Sequence, residues 1–222
     1  GTIINAVNVP SVTGELLEKI GPYLSLADRM GCLQAQLSEG PIKEVVIEYR
    51  GDFQGLDMSP VSTAALKGIL APAVKDGVNF VNAHFIAQER GIKVTERASA
   101  ESEDYLNLIT IKTITLTKTN TVSGTIFGKK DPRVTKINNF RVEMTPIGHL
   151  ALINNVDKPG AIGSIGTTLG ENNINIARMQ VGQEKEGDRN IIFLRTDTSI
   201  PDGVAEKLRA LPLVKSVITL EL

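Results

Sequence analysis

The sequence predicts a mixed α/β chain of the α+β kind, with two sheet-and-helix domains in series behind a helical lead-in. Three observations carry that prediction. Apolar residues recur at three- and four-residue steps from about Thr13 to Leu37, the spacing of a helix face. Between Lys93 and Thr145 the pattern changes to β-branched runs punctuated by glycine, asparagine and charge, as in a mostly antiparallel sheet. From His149 to Leu222 the runs read strand, helix, strand, strand, helix, strand. A chain of 222 residues is long for one ordinary domain and comfortable for two.

The elements follow in order. Ile3 to Val9 reads as a short extended piece closed by Pro10. The helical stripe is Leu16, Leu17, Ile20, Leu24, Ala27, Met30, Leu33 and Leu37. Gly21-Pro22 should divide it into two helices, because proline has no amide proton and disfavours helix at the residue before it. The loop Ser38-Glu39-Gly40-Pro41 ends this segment, residues 1–38. A second segment, 39–145, opens with a strand at Val45 to Tyr49, ended by Gly51. Ser59-Pro60 marks a helix start with serine as cap, the helix reaching about Val74. Another helix spans about Asn79 to Arg90 and stops at Gly91. Strands follow at Lys93–Ala98, Leu106–Thr117, Thr121–Phe127 and Arg141–Thr145. Thr113, Thr115, Thr117, Thr119 and Thr121 suit a pleated, half-exposed face, with Lys118-Thr119-Asn120 as hairpin tip.

The third segment, 146–222, is the plainest. Its strands are His149–Ile153, Ile174–Gly182, Asn190–Leu194 and Val214–Leu222. Its helices are Pro159–Leu169 and Asp202–Leu211, and the run Glu184 to Asp188 is a polar turn. This βαββαβ order is the ferredoxin-like split unit, two helices on one face of a four-stranded sheet. Such a sheet leaves open edges, which symmetric pairing between copies covers.

Composition narrows the function. A net charge of -1 gives no broad field to attract nucleic acid or anionic membrane. No apolar run approaches the roughly 20 residues of a bilayer span, and no basic-then-apolar leader precedes the first segment. One cysteine, Cys32, excludes an internal disulfide and a cysteine-built metal site. His84 and His149 lie far apart, without partners at metal-ligand spacing. A cytoplasmic chain without structural metal is expected. Its start at Gly1-Thr2-Ile3-Ile4, already strand-like, suggests a piece of a longer protein. Cys32 and His84 sit in helical patterns and read as packing residues.

The densest chemistry lies between Asn154 and Asn175. Glycines 160, 163, 166 and 170 fail the Gly-x-Gly-x-x-Gly spacing of a dinucleotide loop. With Ile162, Ile165 and Leu169 as the buried helix face, Gly163 and Gly166 are expected to permit close packing. The turn before the helix has two readings. In one, Asp157 caps the helix and Asn155 and Asn175 serve turns. In the other, the helix amides take a carboxylate, Asp157 accepts from an ammonium group, and the asparagines do either. Those are the needs of an amino acid zwitterion.

Three stretches carry a family resemblance. Val156-Asp157-Lys158-Pro159-Gly160-Ala161-Ile162, with the strand order around it, resembles an ACT domain, an amino-acid-sensing regulatory module. Asn5 to Pro10 and Pro22 to Gly31 resemble the end of the substrate domain of D-3-phosphoglycerate dehydrogenases. Gly77 to Ala83 and Val122 to Gly128 are similar to the intervening, allosteric-substrate-binding domain of that family. The resemblance implies a regulatory portion of an enzyme that oxidises 3-phosphoglycerate with NAD at the first step of L-serine synthesis. It implies that NAD and the catalytic residues belong to another part, so this chain has neither cofactor nor catalytic residue of its own. It further implies self-association through paired ACT domains, with L-serine at their interface. Asn155 and Asp157 from one copy, Asn175 from the other, and the amides around Gly160, Ala161 and Ile162 match the family's effector contacts. Arg133 matches a basic position that binds substrate or phosphate in the family; Lys136 and Arg141 lie beside it in sequence. A second basic position falls on Thr145, and a solvated charged face is the other reading. Two alternatives differ in class: the regulatory portion of an L-serine dehydratase, and an assembly module that senses nothing.

Overall fold

The computed structural model describes residues 14–53, 55–74, 77–101, 104–183 and 189–222. The extended piece expected at Ile3–Val9 and the polar turn at Glu184–Asp188 lie outside them. The chain divides into two units, Gly1–Arg133 and Val134–Leu222.

The first unit contains α1 (Gly14–Leu37), β1 (Glu44–Gly51), α2 (Ser59–Leu70) with a following 3-10 turn (Ala71–Ala73), α3 (Ala83–Glu89), β2 (Lys93–Ser99), β3 (Asn107–Ile114) and β4 (Thr119–Phe127). β1 pairs in parallel with β2 and antiparallel with β3, and β3 pairs antiparallel with β4. One strand was not foreseen. β5 (Asp131–Ile137) and β6 (Phe140–Met144) form a ribbon turned at Asn138, φ 52°. The run Lys129 to Arg133 hides the short buried stretch Val134, Thr135 and Ile137 that makes β5 a strand.

The predicted break at Gly21-Pro22 does not occur: α1 is one helix with Pro22 inside it. Proline there costs about 3 kcal/mol. Beyond it, Leu26, Ala27, Met30, Leu33 and Leu37 are buried, packed on α2, β3 and β4. At about 1.5–3 kcal/mol for each large side chain, that stripe outweighs one missing hydrogen bond. Ser59 is not the cap of α2 either. The Oδ1 of Asp57 accepts from the Ser59 amide at 3.0 Å and its hydroxyl at 2.6 Å, and these bonds hold the Asp57 carboxyl below its ordinary pKa. α3 begins at Ala83 rather than Asn79, because Asn79 and Asn82 bind local amides and form a turn instead. The β3–β4 tip lies at Thr115 to Lys118, joined by the Thr115 amide at 2.9 Å. Asn120 belongs to the strand, since its buried side chain donates to the Leu37 carbonyl at 3.0 Å.

On the polar face of this sheet Glu48 accepts from Lys112 at 2.7 Å and Arg50 at 3.3 Å, with Arg97 at 3.9 Å. Burial pushes its carboxyl up, but these three cations together hold it below the ordinary value. A depressed folded pKa adds stability above the unfolded value, about 4.3, which is lost as pH falls through the folded pKa. Glu48→Gln should therefore cost roughly 1–3 kcal/mol at neutral pH. Urea titrations at several pH values should show the gap to wild type closing below about pH 4.

The second unit contains β7 (His149–Val156), α4 (Ala161–Glu171), β8 (Ile176–Gln183), β9 (Arg189–Thr196), α5 (Asp202–Arg209) and β10 (Val214–Glu221). The four-stranded sheet has the order β10-β7-β9-β8, with antiparallel neighbours, so the expected βαββαβ unit is present. Ala151, Ile153, Ile192 and Leu194 pack against Ile165, Leu169, Ala205 and Leu208 of the helices. α4 buries Ala161, Ile165 and Leu169, a four-residue repeat. Ile162 is 46% exposed and is not on that face. Side chains added at Gly163 and Gly166 would meet nothing within 4 Å, so close packing within the chain does not explain these glycines. Gly182 does need to be small: a Cβ there would lie 2.5 Å from the Arg141 carbonyl of β6.

Candidate functional site

β7 brings Asn155 to one end of the second sheet. It alternates with Ala151 and Ile153 and therefore faces the helices. Its backbone sits between Asn190 of β9 and Val214 of β10. The residue is 1% exposed. Its Nδ2 donates to the Val156 carbonyl at 2.9 Å, whereas its Oδ1 is buried and receives no hydrogen bond. Leaving a buried acceptor unpaired costs about 1–3 kcal/mol, and a ligand's N–H or O–H would recover it.

The chain then leaves the sheet. Asp157 to Gly160 are exposed, and Gly160 has φ 94°, a left-handed conformation that glycine adopts without a Cβ penalty. α4 begins after Gly160 with no side chain capping it. Asp157 is thus not the helix cap, and its carboxylate has no partner among the described residues. The Ala161 amide donates to the Lys158 carbonyl at 3.2 Å and the Ser164 amide to the Gly160 carbonyl at 2.9 Å. The amides of Gly160, Ile162 and Gly163 have no backbone acceptor among the described residues. These amides and the helix dipole favour a carboxylate. Between Asn155 and Gly163, this end of the sheet therefore brings together three backbone amides and a carboxylate without partners among the described residues and a buried, unpaired acceptor.

Asn175 is elsewhere. Ile176, at the start of β8, and His149, at the start of β7, both pair with Thr196, so Asn175 lies at the His149 end of the sheet. The 11 residues of α4 span about 16 Å, and the seven steps of β7 span about 23 Å. Nothing the size of an amino acid touches Asn155 and Asn175 of the same chain. The Nδ2 of Asn175 donates to Oδ2 of Asp197 at 2.7 Å, and the Asp197 amide donates back to the Asn175 carbonyl at 3.3 Å. Asp197 carried no signal in the sequence, because only the β8–β9 pairing brings it beside Asn175.

The basic residues are placed separately. Arg133 donates to Asp131 at 2.5 Å. Lys136 and Arg141 oppose each other across β5 and β6, both exposed. Cys32 is half-buried, and burial, aided by Asp28, raises its thiol pKa. His84 is exposed rather than packed, with Nε2 at 3.1 Å from the Thr63 hydroxyl. Among the described residues no group of three or more His, Cys, Asp or Glu is placed to hold a metal ion. No described helix is long and apolar enough to cross a membrane.

Comparison with known proteins finds two family models matched in series along the chain. Residues 19–138 match the D-3-phosphoglycerate dehydrogenase intervening domain, and residues 149–213 match the ACT domain. The chain is 36% identical over 220 residues to the D-3-phosphoglycerate dehydrogenase of Bacillus subtilis, covering 99% of this chain and 42% of that enzyme. It is 36% identical over 218 residues to the enzyme of Methanocaldococcus jannaschii, covering 98% and 41%. It is 33% identical over 219 residues to that of Synechocystis sp., covering 98% and 40%. The chain thus spans about two fifths of the length of these relatives.

Proposed function

Because the chain belongs to the D-3-phosphoglycerate dehydrogenase family and carries its intervening domain followed by an ACT domain, we propose that it is a regulatory and oligomerisation portion binding L-serine as feedback effector. The observation that carries the reading is the unpaired, buried Oδ1 of Asn155 beside a helix start with no side-chain cap and an Asp157 without a partner among the described residues. The amides of Gly160, Ile162 and Gly163 take the serine carboxylate. Asp157 and Asn155 take its ammonium group. Asn175 comes from a second copy, since its own chain holds it at the far end of the sheet.

Pairing of β8 edges supplies that copy. β8 ends the sheet, and Val181 on it is 41% exposed, as is Ile162 on α4 at 46%. Antiparallel pairing about a two-fold axis sets the Asn175 end of one copy beside the Asp157 end of the other. Serine then favours one pairing of ACT domains over another. Its effect on a linked activity equals its difference in affinity between the two states, typically about 1–3 kcal/mol.

The dehydrogenase chemistry and NAD are assigned to the remaining three fifths of such an enzyme. The turn into α4 lacks the dinucleotide spacing, and β9 lies between β7 and β8 where a doubly wound fold would join them directly. The intervening domain as a substrate or phosphate site through Arg133, Lys136 or Arg141 remains a proposal of the resemblance, to be tested by phosphate titration. A cytoplasmic location is proposed on the same footing.

Melting the chain against rising L-serine tests the effector reading. A ligand that binds only the folded form adds about 2.7 kcal/mol of stability at a hundred times its Kd, so the transition should climb with concentration. No shift at millimolar serine would leave an assembly module that senses nothing.

A further inference from the structure

We propose that Asp197 is a positioning residue that makes the Asn175 half-site read an ammonium group; this rests on the effector reading above. Asn175 and Asp197 flank the last β8–β9 pair, Ile176 opposite Thr196. They are joined twice, by the carboxamide Nδ2 on the Asp197 carboxylate at 2.7 Å and by the Asp197 amide on the Asn175 carbonyl at 3.3 Å. A carboxamide offers one acceptor and two donors. With its nitrogen held by a carboxylate, which only accepts, Asn175 cannot turn over without setting oxygen against oxygen. It therefore presents Oδ1 to a partner.

Asn155 is set the same way: one N–H of its Nδ2 donates to the Val156 carbonyl, which fixes the carboxamide with Oδ1 unpaired. Asp157 contributes a third, charged acceptor. Each side chain of the composite site therefore presents an acceptor, Oδ1 of Asn155, Oδ1 of Asn175 and the Asp157 carboxylate, beside the backbone amides of the α4 start. A ligand with one carboxylate and one ammonium satisfies the set, because the ammonium supplies three N–H donors. A 2-hydroxy acid of the same shape supplies one hydroxyl donor and leaves two acceptors unpaired, at a cost of the kind that lets polar sites reject analogues strongly. The ligand class is thus a small α-amino acid, and Asp197 enforces that choice from outside the contact shell.

Calorimetry on the full chain with L-serine and with L-glycerate, which has a hydroxyl in place of the ammonium, tests this. Wild type should prefer serine by about 100-fold or more. Asp197→Ala lets the Asn175 carboxamide turn over and present Nδ2 in place of Oδ1, and the preference should fall about tenfold. Asp197→Asn keeps an acceptor for Nδ2 and should restore it. Asp197 is exposed, and unchanged melting of both variants would show that the fold is intact. If wild type binds serine and Asp197→Ala keeps the full preference, or weakens both ligands equally, Asp197 has no positioning role and the effector reading stands. If wild type binds neither ligand, both fall.

Discussion

Replacing Gly68 with alanine is expected to destabilise the first unit by about 3 kcal/mol, with Gly31→Ala close behind. α1 and α2 meet backbone to backbone at these two residues. A Cβ at Gly68 would lie 2.0 Å from the Asp28 carbonyl oxygen and 2.8 Å from the Cys32 nitrogen. One at Gly31 would lie 2.2 Å from the Ala65 carbonyl oxygen. Main-chain atoms cannot step aside as the tip of a side chain can, so one helix must move off the other. That movement opens the buried stripe of Leu26, Met30 and Leu33. Gly203→Ala in α5 is the control: its Cβ would meet nothing within 4 Å, and helix propensity alone should make the change neutral to about 1 kcal/mol stabilising. Urea unfolding of the three variants checks the contrast. Equal stability of Gly68→Ala and wild type would mean that the helices do not cross here.

This crossing shows which parts of the fold are legible in sequence. The second sheet was readable because each strand and helix carries its own period and is bounded by Pro, Gly or Asp. The apolar stripe of α1 was readable too, apart from Leu17, which is 50% exposed. Its continuity through Pro22 was not, since local proline chemistry argues for a break and only packing against α2 and the sheet overrides it. β5 was hidden for the opposite reason: its charged flank dominates a short buried run. Gly31 and Gly68 look like any helical glycines until two helices are placed together.

Asp157→Ala is expected to weaken L-serine binding roughly 10- to 150-fold, or about 1.5–3 kcal/mol, by removing the charged partner of the ammonium group. The side chain is exposed and holds nothing among the described residues, so melting without ligand should not change. That separation of affinity from stability distinguishes a ligand contact from a structural one. Isothermal calorimetry on both proteins measures it, and equal affinity would remove Asp157 from the site.

The site was only half legible. Residue types at 155, 157 and 160 suggested a zwitterion, but helix capping explained Asp157 equally well until α4 was found uncapped. The unpaired oxygen of Asn155 depends on burial under the helices, which the sequence does not disclose. Residue types alone grouped Asn175 with Asn155 and only the resemblance assigned it to another copy, while in its own chain the intervening helix carries it to the opposite end of the sheet.

The central claim is that the site is shared between two copies, and mixing tests it most directly. Asp157→Ala and Asn175→Ala chains, each deficient alone, are unfolded together, refolded as an equimolar mixture and titrated with L-serine. In a two-fold dimer the mixed species has one site bearing both changes and one bearing neither. Random pairing should therefore restore about a quarter of the wild-type sites at wild-type affinity. A mixture that binds no more tightly than its two components would contradict the account.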